Sequence, residues 1–329
     1  MIGGTKIAGL VAILALAAAP YAIKEIYYVN IASQILLYAI FALGLSVLVG
    51  YAGLVSLGHA GLFGVAAYAA AYLLAAGYGH ALAVLAALAI ALLATAAFAA
   101  LSLRATGISF IMITLALGEI LWGLAYRWIS VTNGDNGINV ATRPEPFGLP
   151  LVSARGFYGA TLVIFLLAVA ATAIFVRSPF GAAVCGTRDQ PRRMTALGYH
   201  VWMIRFWTFM FSGLLTSVAG VLFLYYNQFI SPQALALAAS AEGLLMVISG
   251  GAGTLLGPVV GAALVVVVKN VASAYIERWN FLLGAIFVAI VVFMPEGLVP
   301  GAVRLARAAW RGISRARTEA RARFAEPKP

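Results

Sequence analysis

Four ionisable side chains lie within otherwise apolar stretches of this sequence: His59, Glu119, Glu242 and Lys269. Because an ionisable group in an apolar environment is costly, such groups usually line a solute path, relay protons or pair with one another. His59, Glu119 and Glu242 are therefore the candidates for lining a solute path. A structural role is the alternative for each: His59 bonded to a nearby backbone carbonyl, Glu119 paired with Lys269 or with serines, and Glu242 capping the broken backbone of a neighbouring helix.

The sequence lacks the motifs of the common hydrolytic and metal-dependent enzymes. None of its four lysines follows a glycine, so there is no phosphate-binding Walker A loop. Its three histidines, His59, His80 and His200, lie far apart without metal-ligand spacing, and no nucleophile elbow or zincin motif occurs. We therefore expect no metal site, no bound cofactor and no catalytic residue. If the chain moves a solute uphill, the energy comes from an ion gradient or from a separate ATPase.

The elements that would position these side chains are membrane-spanning helices. Mean hydropathy is +1.01 over 329 residues, with 64% hydrophobic and 9% charged residues, which exceeds what a water-soluble core requires. Apolar runs close to the ~20 residues that span a bilayer recur along the chain. We predict an all-α, polytopic integral membrane protein with about ten transmembrane helices, at residues 7–23, 31–50, 62–77, 81–103, 108–129, 158–177, 205–226, 233–250, 257–276 and 280–294.

Positive charge is concentrated at four places: Lys6, Arg104, the loop 177–205 and the tail 302–329. The loop carries five arginines and one aspartate, and the tail carries eight basic residues against two acidic ones. Ten crossings that start inside place all four sites, and both termini, on the cytoplasmic face, as the positive-inside rule requires. The net charge of +11 therefore needs no nucleic-acid partner to explain it. We expect the tail to lie as an amphipathic helix on anionic membrane lipid.

Two glycine-rich segments interrupt the apolar pattern. Residues 50–61 contain too many glycines for an ordinary helix, and we predict a broken or re-entrant segment buried at membrane depth. Gly253, Gly257 and Gly261 recur every four residues, which is typical of a face along which membrane helices pack closely. We predict helix packing, rather than solute binding, for these three glycines.

The loop 177–205 contains the pattern of a short helix within residues 188–200. Pro191 suits the first turn of a helix and Gly198 suits its end. Met194 and Leu197 form an apolar ridge at positions i and i+3. Because so many charges must lie outside lipid, we predict that this segment contacts a soluble partner protein.

Seven phrases of the sequence carry a family pattern in the right order. They are GYAGLVSLGHAGLFGVAAY (50–68), TLALGEI (114–120), NGDNGI (133–138), RSPFGAAVCGTRDQPRRMTALGYHV (177–201), SGLLTSVAGVLF (212–223), EGLLMVISGGAGTLLGPVVGAAL (242–264) and FMPEGLVPG (293–301). Together they resemble the LivM-type permease subunit of branched-chain amino-acid ABC importers. The resemblance covers residues 31–301.

This resemblance implies a transmembrane permease domain at residues 1–301 in a bacterial inner membrane, followed by a basic cytoplasmic tail at 302–329. It implies a translocation path that works by alternating access. The implied partners are a second, LivH-type permease, two cytoplasmic ATPases that use the ATP, and a periplasmic substrate-binding protein.

The resemblance also implies that the ATPases dock on the loop 177–205. Members of the family usually carry acidic residues in this docking segment, whereas this chain carries arginines, so we expect a different charge complementarity to the ATPase. The docking residues that the resemblance indicates are Arg188, Asp189, Arg192, Arg193, Met194, Ala196, Leu197 and Gly198.

No residue pattern in the chain identifies the solute. An ABC permease for urea, short amides or another small solute is therefore the nearest alternative. A stand-alone secondary transporter with Glu119 and Glu242 as proton sites is a second alternative. In each case we expect both carboxylates to face the protein interior, because lipid-facing carboxylates are too costly.

Overall fold

The computed structural model describes residues 25–140, 153–275, 279–294, 297–301 and 304. The predicted first helix at 7–23 and the tail beyond Arg304 lie outside these residues. The helices are α1 (Ile26–Ser46), α2 (His59–Ala75), α3 (His80–Ser102), α4 (Ile108–Arg127), α5 (Ile129–Thr132), α6 (Ala154–Arg177), α7 (Pro179–Asp189), α8 (Pro191–Ala196), α9 (Val201–Asn227), α10 (Leu237–Gly250), α11 (Gly257–Tyr275) and α12 (Trp279–Phe293). A π-helical turn at Val47–Tyr51 extends α1, and short 3-10 turns occupy Gly134–Asn136 and Pro232–Leu235.

Every predicted span from residue 31 onward overlaps one of these helices. Within the described residues, five helical segments are long and apolar enough to cross a membrane: Ile26–Tyr51, His80–Ser102, Ile108–Arg127, Ala154–Arg177 and Val201–Asn227. Three shorter apolar helices, His59–Ala75, Leu237–Gly250 and Gly257–Ala272, lie among them. The prediction of an all-α membrane protein is therefore confirmed, while the number of ten spans stays a prediction.

The centre of the fold is formed by α1 and α9. These are the most buried of the long helices, and both are apolar on all sides, as expected of helices that are surrounded by protein. They approach closely at Gly44, where an added β-carbon would lie 2.8 Å from the carbonyl oxygen of Ser212. By contrast, α3, α4 and α6 lie at the periphery and expose most of their side chains in the single chain.

The helices run between two distinct ends of the molecule. At the strand end, Ile138 in β1 (Ile138–Asn139) pairs with Ile230 in β2 (Phe229–Ile230) in a short antiparallel sheet. At the loop end, α7 and α8 connect α6 to the start of α9. The Ser178 hydroxyl begins α7 by accepting a hydrogen bond from Gly181 N at 3.1 Å, with a proline at the first helical position.

Candidate solute path and docking surface

The first break, residues 52–58, interrupts the helical path between α1 and α2 at the loop end. It lies inside the glycine-rich segment for which the sequence predicts a broken helix. Backbone N–H groups at the break are satisfied by side chains of other helices. Leu57 N donates to Thr114 Oγ1 of α4 at 3.2 Å, and Ala60 N donates to Ser240 Oγ of α10 at 3.0 Å. The irregular backbone is thus held by protein rather than by lipid, as the bilayer interior requires.

His59 is the first residue of α2, and its side chain is completely buried. Its Nε2 lies 2.9 Å from Ser212 Oγ, and its Nδ1 lies 2.8 Å from Ser56 Oγ. The Ser212 hydroxyl donates its single hydrogen to Gly44 O at 2.6 Å, so it accepts from His59 Nε2–H. Nδ1 then accepts from the Ser56 hydroxyl, which assigns the neutral Nε2–H tautomer. With both ring nitrogens engaged, the geometry favours the structural alternative for His59.

Glu242 of α10 forms an ion pair with Lys269 of α11, with Lys269 Nζ at 3.1 Å from each carboxylate oxygen. The pair is only partly buried, because 21% of the Glu242 side chain and 35% of the Lys269 side chain remain exposed. Both residues line a cavity of about 610 Å³ near the strand end. The structure therefore places Glu242, one of the three candidates for the solute path, in a cavity.

Glu119 lies in the middle of α4, where it is partly buried at the edge of the exposed face of the helix. Helical spacing places it on one face with Met112, Ala116 and Gly123, and Met112 is 66% exposed. The inward-facing residues of α4 are Phe110, Thr114, Gly118 and Ala125. Within the described residues, no side chain forms an ion pair or a hydrogen bond with Glu119. The expectation that Glu119 faces the protein interior rather than lipid stays a prediction, and Lys269 pairs with Glu242 instead of Glu119.

The predicted helix of the loop 177–205 forms, but as the second of two helices. Pro191 begins α8, and Gly198, with φ of +85°, ends it in a Schellman arrangement. The two residues of the predicted apolar ridge, Met194 and Leu197, lie in different environments. Met194 packs against α7, where its sulfur would lie 2.7 Å from a β-carbon on Gly186, whereas Leu197 is 66% exposed. Only Leu197 of the two is therefore available to a partner protein.

The other residues predicted for docking lie together at the loop end. Arg192 and Arg193 flank Leu197 on an exposed basic surface that continues into α7. We call this surface the docking surface; its exposed members are Arg188, Asp189, Arg192, Arg193, Ala196, Leu197 and Gly198.

Arg188 connects the docking surface to the first break. Its Nη1 donates to Gly50 O at 2.7 Å, and its side-chain carbons lie against Gly53, where a β-carbon would be 2.6 Å away. Its Nε donates to Asp189 Oδ1 at 2.8 Å, and this hydrogen bond raises the pKa of the Arg188 guanidinium. Arg188 therefore links α7 to the π-helical turn at the end of α1.

The second break, residues 251–256, separates α10 from α11 and corrects one prediction. Gly253 lies in this break with φ of +81°, so it is not on one helix face with Gly257 and Gly261. The close-packing prediction holds for the other two. A β-carbon on Gly261 would collide with the carbonyl oxygen of Met246, and one on Gly257 would lie 2.9 Å from Gly250 O.

The second break touches the turn just before the first break, which the sequence reasoning missed. Gly50 packs on Gly253, where a β-carbon on Gly50 would lie 2.6 Å from the Gly253 Cα. The available signal was a repeated Gly-x-Ala-Gly pattern, at residues 50–53 and 250–253. In both copies the last glycine has a positive φ, which favours glycine over any other residue.

Comparison with known proteins gives a consistent family. The profile described as branched-chain amino acid transport system / permease component matches residues 27–291. The high-affinity branched-chain amino acid transport system permease protein LivM of Escherichia coli is 32% identical over 318 residues, covering 88% of this chain and 74% of the relative. The corresponding LivH protein of Salmonella typhimurium is 22% identical over 297 residues, covering 80% and 91%.

A shorter match extends the range of relatives. The autoinducer 2 import system permease protein LsrC of Yersinia enterocolitica is 30% identical over 139 residues, covering 40% of this chain and 39% of the relative. No solved structure matches the chain. The family profile spans most of the sequence, and it describes transporter components rather than enzymes. The chain belongs to the family of permease components of branched-chain amino acid transport systems.

Proposed function

We propose that this chain is the membrane permease subunit of an ATP-driven importer for branched-chain or related amino acids. The observation that carries the proposal is the hydrogen bond from Arg188 to the carbonyl oxygen of Gly50. It connects the exposed docking surface to the chain beside the first break. An ATPase that moves α7 and α8 would thereby shift the first break. Alternating access of the solute path follows from that movement.

The proposed membrane arrangement follows the charge distribution. Ten spans in a bacterial inner membrane would place both termini and the docking surface in the cytoplasm, and the strand end would face the periplasm. The permease domain would comprise residues 1–301, and the basic tail 302–329 would lie on lipid. A periplasmic substrate-binding protein would then deliver the solute at the strand end.

The energy would come from two separate ATPase subunits, and the permease itself would bind no cofactor. Leu197 supplies an exposed apolar anchor on the docking surface, and Arg192 and Arg193 supply positive charge on either side of α8. We expect the facing groove of the ATPase to carry carboxylates, in accordance with this charge. Long-range attraction of this kind weakens as salt rises.

A second, related permease would cover the outward face of α4. Glu119 lies at the middle of this helix, where an isolated carboxylate is stable only if a polar group from another subunit meets it. Ala116 and Gly123 lie beside it on the same face, and small side chains allow helices of two subunits to approach closely. The similarity to both LivM and LivH proteins supports a pair of related permeases.

One observation favours a different cargo as the second candidate function. LsrC, which matches 139 residues of this chain, is a permease protein of an autoinducer 2 import system. The same architecture therefore serves solutes of other chemistry in related importers. Import of another small polar solute is the alternative for this chain.

Copurification in mild detergent tests the assembly. The chain is coexpressed with its genomic neighbours, and the wild type should retain both ATPases and the second permease. Ala196→Glu adds a negative charge to the exposed docking helix and should remove the ATPases while leaving the permease pair intact. Glu119→Leu should remove the second permease while leaving the ATPases bound. Ile90→Ala, on an exposed position of α3, serves as the control.

The two variants check each other, because each should lose only one partner. If the wild type retains no ATPase and takes up solute by itself in liposomes, it is a stand-alone carrier and the proposal is wrong. If Glu119→Leu keeps its full complement of second permease, α4 is not the pairing surface.

A further inference from the structure

The cavity of about 610 Å³ near the strand end has walls from four membrane helices and the segment that follows α9. We call it the strand-end cavity. Its volume falls within the range of small-molecule sites in proteins. The polar groups that line it are Glu242, Lys269, Asn227, Ser231, Gln233 and the side chain of Tyr38.

The charges in this cavity are one carboxylate and one ammonium group, held side by side. Glu242 and Lys269 are 3.1 Å apart, and both remain partly exposed to the cavity. An ion pair in such a place is weak evidence for a stabilising role, because desolvation opposes its Coulomb attraction. A ligand that carries both charges can replace the single pair by two pairs without bringing net charge into the membrane.

Part of the remaining wall is apolar. Phe223, Phe229, Ala236 and Ala239 line it beside the polar side chains of Tyr38, Asn227, Ser231 and Gln233. The apolar part accommodates an aliphatic side chain. The combination of two opposite charges with this apolar part matches an aliphatic amino acid.

The floor of the cavity separates it from the first break. A narrower pocket of about 40 Å³ continues from Glu242 to Ala60, the residue after His59. Three aromatic rings close around it: Phe63 lies 5.3 Å from Phe41 and 5.1 Å from Phe223 between ring centroids. A solute in the cavity would therefore stop on this aromatic floor until the helices around the break move.

We propose that the strand-end cavity binds the zwitterionic head group of an aliphatic amino acid, with Glu242 receiving the ammonium group and Lys269 receiving the carboxylate. This inference deepens the proposed function and rests on it. It assigns the permease its own solute site, which the family match does not specify. Discrimination would come from the pair, since a ligand with one charge leaves the opposite protein charge without its partner.

Equilibrium binding to the complete importer in lipid nanodiscs, without ATP or binding protein, tests the site. The probe is radiolabelled L-leucine, and the competitors are L-leucinamide, which lacks the carboxylate, and 4-methylpentanoate, which lacks the ammonium group. Both competitors should displace L-leucine far less well than unlabelled L-leucine does. Glu242→Gln and Lys269→Gln should each weaken binding by about 30-fold or more, the usual consequence of losing one partner of a desolvated charge pair.

A matched control and a charge swap separate binding from a structural role. Asn270→Ala removes the 2.9 Å hydrogen bond from Asn270 to Gln34 between α11 and α1, outside the cavity, and should leave binding unchanged. The double variant Glu242→Lys with Lys269→Glu should regain part of the affinity, because a zwitterion can bind in the reverse orientation. If the single variants do not assemble, Ala239→Trp fills the cavity without altering either charge and should abolish binding.

The outcomes distinguish this inference from the proposed function. If the wild type imports L-leucine with ATP but Glu242→Gln, Lys269→Gln and Ala239→Trp bind it as the wild type does, the site is wrong and the importer remains. Transport by a wild type that shows no L-leucine binding overturns the site in the same way. If the assembled importer, with its binding protein and ATP, carries no amino acid, the cargo of the proposed function is wrong and the inference falls with it.

Discussion

The two breaks in this fold follow the same Gly-x-Ala-Gly pattern, yet they are held by different means. At the first break and its flanks, residues 50–60, side chains from α4, α7, α9 and α10 form hydrogen bonds. At the second break, residues 251–256, Thr254 bonds only within the break and its flanks, donating to Gly251 O at 2.9 Å and accepting from Gly257 N at 3.0 Å. The helices on either side of it pack backbone against backbone at Gly250 and Gly261.

Because of this difference, we expect the first break to change conformation when its neighbouring helices move and the second break to stay rigid. The side-chain hydrogen bonds from other helices can break independently of one another. The conformation of the first break therefore depends on the position of each neighbouring helix. Both breaks also have close backbone packing, since a β-carbon on Gly58 of the first break would collide with the carbonyl oxygen of Thr114, but the second break receives no side-chain hydrogen bond from another helix within the described residues. Gly50 and Gly253 are in contact, so the rigid break supports the adjustable one. We expect substitutions at the second break to affect folding and those around the first break to affect coupling.

The largest effect should follow from Gly261→Val. The valine side chain would collide with the carbonyl oxygen of Met246 and force α10 and α11 apart. We expect this to destabilise the fold by about 3 kcal/mol. The measurement is the yield and melting temperature of the folded protein in detergent. Gly159→Val on α6 is the control, because no atom lies within 4 Å of its β-carbon position. Equal yields and melting temperatures for the two variants would contradict backbone packing at the second break.

An intermediate effect should follow from Ser212→Ala. The substitution removes the acceptor of His59 Nε2–H and the donor to Gly44 O, and each buried group left unpaired costs about 1–3 kcal/mol. Thermal unfolding in detergent measures the loss.

Thr216→Val, one helical turn further along α9, is the matched control for Ser212→Ala. The Thr216 hydroxyl is buried and has no hydrogen-bond partner among the described residues, so its removal should cost almost nothing. Should Thr216→Val prove as destabilising as Ser212→Ala, the network around His59 is not what holds the first break.

The smallest effect on stability, but a clear effect on transport, should follow from Arg188→Ala. Arg188 is 40% exposed, so its loss should change stability by no more than about 1 kcal/mol. Losing its hydrogen bond to Gly50 O disconnects the docking surface from the first break, and solute-stimulated ATP hydrolysis in proteoliposomes should fall about tenfold. Arg104→Ala, at an exposed arginine outside the docking surface, should retain coupling. Normal coupling in Arg188→Ala would show that force reaches the membrane helices by another route.

Local chemistry made part of this arrangement predictable. Pro191 and Gly198 bound the docking helix as their backbone preferences indicate, and the glycine density near His59 correctly predicts a break. These predictions succeed because they depend on residues that are close in the sequence. The periodicity of Gly253 with Gly257 and Gly261 was misleading for the opposite reason. A spacing of four residues fits a helix, but a positive φ at Gly253 ends it, and spacing alone carries no φ.

The contacts that define the site depend on residues far apart in the chain. Arg188 and Gly50 are separated by 138 residues, and no local pattern marks the carbonyl that receives the guanidinium. The partner of Lys269 was likewise ambiguous, because both Glu119 and Glu242 lie within apolar helices and only the packing of α10 on α11 selects one. The cost of a lipid-facing carboxylate predicts that Glu119 faces protein, but it does not say which subunit supplies that protein.

The row of hydrogen bonds from Ser56 through His59 and Ser212 to Gly44 has an electrical consequence. A proton gradient across a membrane is dissipated wherever hydrogen-bonded groups form a continuous path for protons. This row ends on an amide oxygen, which has no hydrogen to pass on, and His59 Nδ1 already accepts from Ser56. The row from Ser56 to Gly44 therefore provides no continuous path for a proton through His59.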